Sequence, residues 1–296
     1  MIWVRSAIFN IAFYCSLIVQ MVVMTPYYFL SRRPGAWWVV HNWVRSNHWL
    51  QKVIVGTTFT IEGLENIPSG GYILAPKHQS FWDTYALLPW LDDPVYILKR
   101  ELMWIPIFGW YIAKMRMVPV NRGARGKVMS AVLARAKAEM QAGRQLIIYP
   151  EGTRRSPGAA PDYKFGIARL YRDLDVPVVP VAMQPGLFWP RRRFMRYPGH
   201  FVVRILPPIE PGLEPERFME RLITEMETAS DELLVKTVHD NPHLPLPQTA
   251  KHRLQELKQR QSGSAPSAEE HLSRALAGKA DPAAQHENVT RRQDKA

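Results

Sequence analysis

Residues 145–154 of this 296-residue chain read QLIIYPEGTR, an apolar run that ends in a polar turn. The first half of this stretch has the length and composition of a buried strand. In α/β sheets, ligand sites form beyond the carboxyl ends of the strands. We therefore expect the turn to lie at the rim of a sheet, where Gly152 permits close approach and Thr153 and Arg154 bind an anion. Glu151 is itself an anion, so we expect it to hold an arginine or a substrate hydroxyl.

Further apolar runs of strand length alternate with helical stretches through the middle of the chain. The strand-like runs are residues 72–75, 95–98, 117–120, 145–149, 176–182 and 201–206. The clearest helix covers residues 127–142, where apolar side chains recur at helical spacing and Gly143 follows. This alternation predicts an α/β fold with a central sheet flanked by helices.

A second polar segment, KHQSFWD at residues 77–83, follows one of these runs. His78 in a loop can meet Asp83 if Asp83 lies in the first turn of a helix over residues 81–91. A carboxylate on one imidazole nitrogen fixes the tautomer and leaves the other nitrogen free to take a proton from a hydroxyl. A plain helix cap, in which Ser80 and Asp83 satisfy free amides, explains the same spacing. Both interpretations stay open on this segment alone.

The sequence has no obvious nucleophile to accompany such a base. It lacks a G-x-S-x-G elbow, and its one cysteine, Cys15, lies in an apolar stretch where we expect it to be buried. Direct attack by a bound hydroxyl is therefore favoured over an acyl-enzyme, with Ser80 as the alternative covalent residue because it is near His78.

Taken together, these segments resemble the glycerolipid acyltransferase family, whose first motif is a histidine, four residues and an aspartate (HX4D). The likeness covers about residues 61–208, and its segments keep the family's order. They are IEGLENIP from residue 61, KHQSFWD, KRELMWIPIFG from residue 99, VPVNR ending at residue 122, YPEGTRR and VPVVPV from residue 176.

The resemblance implies an acyltransferase-type sheet and a membrane-bound O-acyltransferase of phospholipid biosynthesis. Such an enzyme moves a fatty acyl group from acyl-CoA or acyl-ACP (acyl-carrier protein) to the sn-2 hydroxyl of 1-acyl-glycerol 3-phosphate, giving phosphatidic acid. His78 and Asp83 would be catalytic. The thioester is a co-substrate, and neither a cofactor nor a metal is expected.

The acceptor phosphate would be bound by the polar turn and by cations from neighbouring strands. Arg122 follows the run 117–120, and Lys99 follows the run 95–98. The candidate substrate-binding residues are Lys99, Arg122, Glu151, Gly152, Thr153 and Arg154. An ordinary surface lysine is an equally good account of Lys99.

Two positions depart from the family pattern. Lys77 stands before the histidine where asparagine is usual, and Asn121 stands before Arg122 where an acidic residue is common. These changes leave another lysolipid acceptor open, such as a lyso-aminolipid or a different lysophospholipid. A non-catalytic membrane lipid-binding protein is the remote alternative.

The N-terminus predicts association with a membrane. Residues 7–30 contain no charge and are long enough to cross a bilayer, but Asn10, Gln20 and Pro26 interrupt them. Tryptophans, which prefer the membrane interface, follow at positions 37, 38, 43 and 49. Either one span with an interfacial second helix or a kinked helical pair in one leaflet fits this pattern.

The charges that flank the segment predict which side of the membrane the catalytic domain occupies. Arg32 and Arg33 outweigh Arg5, so we expect the catalytic domain on the cytoplasmic face.

The formal net charge of +12 includes a basic and aromatic cluster at residues 188–197. Its arginines are Arg191, Arg192, Arg193 and Arg196. Such a cluster suits an anionic bilayer, and no nucleic-acid motif accompanies it. The apolar stretch 103–110 is expected to belong partly to the core, or to contact acyl chains or the bilayer.

The chain divides into three expected parts. Residues 1–57 form a membrane-anchoring helical segment, residues 58–240 form the catalytic domain, and residues 241–296 form a polar, disordered tail. A short basic helix over residues 253–260 is the expected exception within the tail.

Overall fold

The computed structural model describes residues 1–120 and 127–262. Within them, a seven-stranded sheet forms the centre of the fold. Its strands are β1 (Thr57–Glu62), β2 (Tyr72–Pro76), β3 (Pro94–Lys99), β4 (Val118–Val120), β5 (Gln145–Ile147), β6 (Val178–Met183) and β7 (Gly199–Ile205). Their order is β1-β7-β6-β2-β5-β3-β4, and every pairing is parallel except that of β6 with β7.

The central strands are buried on both faces, and their side chains alternate between two apolar layers. In β2, Tyr72 and Leu74 pack in one layer, whereas Ile73 and Ala75 pack in the other. Because both layers are filled, these strands read as nearly continuous apolar runs in the sequence.

Helices cover both faces of the sheet and confirm the predicted α/β class. One layer receives α5 (Lys127–Gln141), α6 (Gly166–Leu174) and α7 (Pro215–Asp240). The other receives α1 (Ile2–Val23) and α3 (Arg33–Leu50). Two shorter helices, α2 (Thr25–Leu30) and α4 (Phe108–Lys114), lie next to each other, where Tyr28 stacks on Tyr111 at 3.8 Å between ring centroids.

The expected helix over residues 81–91 is not formed. The structure has two single 3-10 turns instead, Trp82–Thr84 and Leu88–Trp90. The Asp83 carboxylate binds backbone amides locally, and Pro89 lacks the amide that a continuing helix needs.

The C-terminal part of the described chain holds a longer helix than expected. Helix α8 (Gln248–Gln261) begins five residues before the predicted basic helix at residue 253. Arg253 of α8 pairs with Asp231 of α7 at 2.6 Å, and Ala250 is fully buried. The division of the chain into three parts stays a prediction.

Candidate active site

Parallel pairing brings the two polar segments of the sequence together. β2 and β5 are adjacent and parallel, so their carboxyl ends meet at the same edge of the sheet. The segment with His78 follows β2, and the turn with Glu151 follows β5. The backbone amide of Arg155 donates to the carbonyl of His78 at 2.7 Å, which joins the two segments directly.

The His78 imidazole is fixed by Asp83. Nδ1 of His78 lies 2.8 Å from Oδ1 of Asp83. The other carboxylate oxygen, Oδ2, accepts the backbone amides of Gln79 and Ser80, each at 2.8 Å. Both interpretations of the spacing therefore describe real contacts, because one carboxylate orients the imidazole and also binds free amides. Asp83 is buried, and these three contacts fix the position of its carboxylate.

Tyr149 packs against the imidazole of His78. Its ring stacks on His78 with 4.0 Å between centroids and an interplanar angle of 21°. Its hydroxyl donates to the carbonyl of Asp83 at 3.0 Å. Burial raises the pKa of the Tyr149 phenol well above its ordinary value, so the phenol stays a neutral donor. The sequence pattern identified Tyr149 only as part of a strand.

The second imidazole nitrogen remains available. Nε2 of His78 has no hydrogen-bond partner among residues 1–120 and 127–262, and 13% of the side chain is accessible. With Asp83 on Nδ1, Nε2 is the nitrogen that can accept a proton from a hydroxyl.

Among the described residues, Glu151 pairs with a lysine and not with the arginine that the sequence suggested, while its Oε2 has no hydrogen-bond partner. Its Oε1 lies 3.2 Å from Nζ of Lys77, and the same ammonium lies 2.7 Å from Oε1 of Glu227 on α7. The charge of Lys77, the residue before His78, is therefore paired with two carboxylates. Lys77 and Glu151 are 5% and 1% exposed, so this is a buried ion triad.

Burial and charge have opposite effects on the pKa values of two members of this triad, Glu151 and Lys77. Burial raises the pKa of the Glu151 carboxyl, and Lys77 opposes that effect. Burial acts to lower the pKa of the Lys77 ammonium, but Glu227 and Glu151 outweigh it and the pKa is raised. Glu227 carries no sequence motif and is 150 residues from Lys77, so no local signal identified it.

The turn after Glu151 offers groups to an anion. Gly152 has a positive φ of 65°, which a side chain would strain. Thr153 is exposed, and the partly buried Arg154 has no partner for its guanidinium within the described part of the chain. The exposed Arg191 donates to the carbonyl of Arg154 at 2.8 Å, so a second cation lies next to this turn.

Of the other two candidate cations, Lys99 and Arg122, only Lys99 lies among the described residues. Lys99 ends β3 at the same edge of the sheet, and its side chain is exposed. Arg122 lies outside the described residues, as does Asn121. Among the residues that the structure describes, no group of three or more His, Cys, Asp or Glu side chains is arranged to hold a metal.

Three expectations about individual residues need correction. Ser80 is fully buried and its Oγ donates to the carbonyl of Trp189 at 2.8 Å, so it is not placed as a covalent residue. Cys15 is exposed, because it lies on the outward face of α1. Arg196 is buried, stacks on Trp189 at 4.3 Å and donates to three carbonyls of its own loop, so it does not join the exposed basic cluster.

Comparison with known proteins agrees with this site. Residues 58–184 match the profile of the family described as Acyltransferase. A 1-acyl-sn-glycerol-3-phosphate acyltransferase of Pseudomonas aeruginosa is 32% identical over 184 residues, which cover 62% of this chain and 72% of that protein. The Mus musculus protein named 1-acyl-sn-glycerol-3-phosphate acyltransferase alpha is 28% identical over 56% of this chain and 60% of its own length.

A solved structure shows the same fold. The 1-acyl-sn-glycerophosphate acyltransferase PlsC of Thermotoga maritima matches 79% of this chain and 99% of its own chain, with a TM-score of 0.64 and 24% identity. The resemblance first seen in the motifs is thereby confirmed. The chain belongs to the acyltransferase family and is an acyltransferase enzyme.

Proposed function

We propose that this enzyme transfers a fatty acyl group from a thioester to the sn-2 hydroxyl of 1-acyl-glycerol 3-phosphate, giving phosphatidic acid. The observation that carries the proposal is His78, which Asp83 orients through Nδ1. Within the described part of the chain its Nε2 has no partner, and the Arg154 guanidinium at the same sheet edge is unpaired. His78 is the base for the acceptor hydroxyl, and Arg154 is the cation that binds the acceptor phosphate.

The chemical steps follow from this arrangement. Nε2 of His78 takes the proton of the acceptor hydroxyl as the oxygen attacks the thioester carbonyl. Asp83 stabilises the imidazolium that forms, because its Oδ1 faces Nδ1 at 2.8 Å. When the C–S bond breaks, the imidazolium returns the proton to the leaving thiolate. No acyl-enzyme is required, in keeping with the buried and engaged hydroxyl of Ser80.

The phosphate of the acceptor is proposed to bind Arg154 and Thr153, with Gly152 permitting its close approach. Arg122 and Lys99 are proposed as further cations from adjacent strands. The acidic Glu151 supports this turn through Lys77 and is not a phosphate ligand.

Membrane association is proposed to occur within one leaflet. α1 is the one helix in residues 1–120 and 127–262 that is long and apolar enough to cross a membrane. Its polar side chains bind the rest of the protein, since Asn10 donates to the Phe194 carbonyl and Gln20 to that of Val39, each at 3.0 Å. A helix docked along its length lies beside the domain instead of crossing a bilayer alone, which favours the kinked pair.

Exposed apolar side chains of α1 and of the stretch 103–110 form what we call the lipid-facing surface. Its larger members are Ile8, Ile11, Ile18, Val22, Trp104, Ile105 and Trp110. Phe194, beside the exposed Arg191, Arg192 and Arg193, contacts Trp3 of α1 with 5.7 Å between ring centroids. We propose that this surface enters the cytoplasmic leaflet, where soluble acyl-CoA or acyl-ACP can reach the site.

The acceptor assignment is tested by turnover of detergent-solubilised protein on a headgroup panel. Acyl-CoA and acyl-ACP are each supplied with 1-acyl-glycerol 3-phosphate, a lyso-aminolipid or a lysophospholipid with a larger headgroup. Preferred turnover of 1-acyl-glycerol 3-phosphate supports the proposal. Preference for another acceptor replaces the substrate, and no turnover with any pair would contradict the proposed reaction.

A further inference from the structure

The turn that carries Gly152, Thr153 and Arg154 is held at both ends by consecutive residues of the segment after β2. At one end, Glu151 accepts the Lys77 ammonium at 3.2 Å. At the other end, the Arg155 amide donates to the carbonyl of His78 at 2.7 Å. The position of the turn relative to the imidazole is therefore set by two links, one through a side chain and one through the backbone.

Glu227 sets the direction of the first link. It lies on α7, beyond the region 58–184 that matches the family profile. Its Oε1 is 2.7 Å from Nζ of Lys77, closer than Glu151 is, and it also accepts the Tyr163 hydroxyl at 2.6 Å. The Lys77 ammonium lies 5.3 Å from the centre of the Tyr163 ring. These contacts hold the lysine chain along the path toward Glu151.

The effect of removing the Lys77 charge depends on whether the Glu227 charge is also removed. One ammonium balances two carboxylates in a site where Lys77 and Glu151 are almost fully buried. Removing the cation alone leaves the buried Glu151 carboxylate and the partly buried Glu227 carboxylate near each other without a counter-charge, which is unfavourable. Removing the cation together with the Glu227 charge restores the original net charge.

We propose that Lys77 and Glu227 are positioning residues that hold the Glu151–Arg155 turn in place against His78 for the acceptor phosphate. Neither residue contacts the reacting atoms. Lys77 forms the ion pair with Glu151, and Glu227 holds the Lys77 ammonium in position for that pair.

The first test measures the turn itself and is independent of activity. Hydrogen exchange is followed in a peptide that spans residues 150–156 in wild type, Lys77→Met and the double variant Lys77→Met/Glu227→Gln. Loss of the link is expected to speed exchange of the Arg155 amide by about tenfold or more in Lys77→Met. The double variant also lacks the link to Glu151, so its exchange should stay as fast as in Lys77→Met. Recovery of the wild-type rate would assign the effect to the net charge of the site and would overturn the proposal.

Asp231→Asn provides the matched control. Asp231 also lies on α7 and pairs with Arg253 of α8, and it lines the same cavity of about 690 Å³ as Glu227 without touching the turn. It should leave exchange in residues 150–156 unchanged. Equal exchange in wild type and Lys77→Met would overturn the proposal, as would an equal increase in Asp231→Asn.

A second test is kinetic and rests on the proposed function. It distinguishes a specific effect on binding of the acceptor phosphate from a general loss of structure at the site. Lys77→Met should raise KM for 1-acyl-glycerol 3-phosphate by about tenfold, with a smaller change in kcat, and Glu227→Gln should act in the same direction but less. Turnover of a monoacylglycerol, which has no phosphate, should change little. Equal losses on both acceptors would contradict positioning of the phosphate turn. A wild type inactive on both would count against the proposed function alone, since the exchange result stands by itself.

Discussion

Oδ1 of Asp83 lies 2.8 Å from Nδ1 of His78, while Oδ2 of the same carboxylate accepts the amides of Gln79 and Ser80. A single buried carboxylate thus shapes the backbone of the loop and fixes the tautomer of the imidazole. These two duties are separable by substitution, because only the contact with His78 depends on the charge and on an oxygen at that position.

Asp83→Asn is expected to keep the fold and lose the chemistry. If the amide oxygen takes over the contacts with Gln79 and Ser80, the amide nitrogen faces Nδ1 and donates to it. The imidazole then carries its proton on Nε2 and cannot act as a base, so kcat should fall by about 10³-fold with a small change in Tm. A fall in kcat of less than about tenfold, in protein that unfolds at the wild-type temperature, would contradict this role.

Arg154→Ala should affect binding more than chemistry. The guanidinium has no partner in the described part of the chain, so its removal leaves little unsatisfied inside the protein. We expect KM for 1-acyl-glycerol 3-phosphate to rise by about tenfold or more, with kcat changed less. Steady-state kinetics with and without the acceptor phosphate provide the check. An unchanged KM would remove Arg154 from the phosphate site.

The alkaline side of the stability profile reports on Lys77. Despite burial, Glu227 and Glu151 raise the pKa of its ammonium above the ordinary value of 10.5. A raised folded-state pKa gives stability that is complete below the unfolded value and is lost as the pH rises through the folded value. The Tm difference between wild type and Lys77→Met should thus be constant from about pH 8 to 10 and shrink above it. A difference that grows with alkaline pH would contradict the pairing.

The lipid-facing surface should tolerate polar substitution without loss of stability. Ile11 and Ile18 are 65% and 61% exposed on α1, whereas Phe13 is 1% exposed. Ile11→Ser/Ile18→Ser should weaken partition into phosphatidylglycerol and phosphatidylethanolamine vesicles by about tenfold or more, at unchanged Tm. As a control, Phe13→Ala should lower Tm, because it empties a core position. Unchanged vesicle binding in the double variant would place the membrane contact elsewhere.

The strands that the sequence predicted well are those buried on both faces. β2 and β6 stand out as apolar runs because both layers of the core contact them. β1 was not predicted, because Thr57, Thr58 and Thr60 interrupt its pattern at the edge of the sheet. The expected helix over 81–91 was wrong because the Asp83 carboxylate, which the pattern placed at a helix cap, organises a loop instead.

The site was predictable where its residues are neighbours in the chain. His78 and Asp83 are five residues apart, and the turn from Glu151 to Arg154 is continuous, so local motifs and the parallel strand order were sufficient. The ion triad around Glu151 was not predictable, because the sequence suggested an arginine or a substrate hydroxyl as the partner of Glu151 and Glu227 comes from a distant helix. Stacking of Tyr149 on His78 likewise depends on the register of β5 against β2.

The most direct test of the central claim is thiol release from acyl-CoA in the presence of 1-acyl-glycerol 3-phosphate, with wild type and His78→Ala compared in detergent. If acyl-ACP is the preferred donor in the headgroup panel, it replaces acyl-CoA in the same comparison. We predict acceptor-dependent release by the wild type and a loss of about 10³-fold or more in the variant, at similar folded content. Release that persists in His78→Ala at more than about a tenth of the wild-type rate would contradict the assignment of His78 as the base.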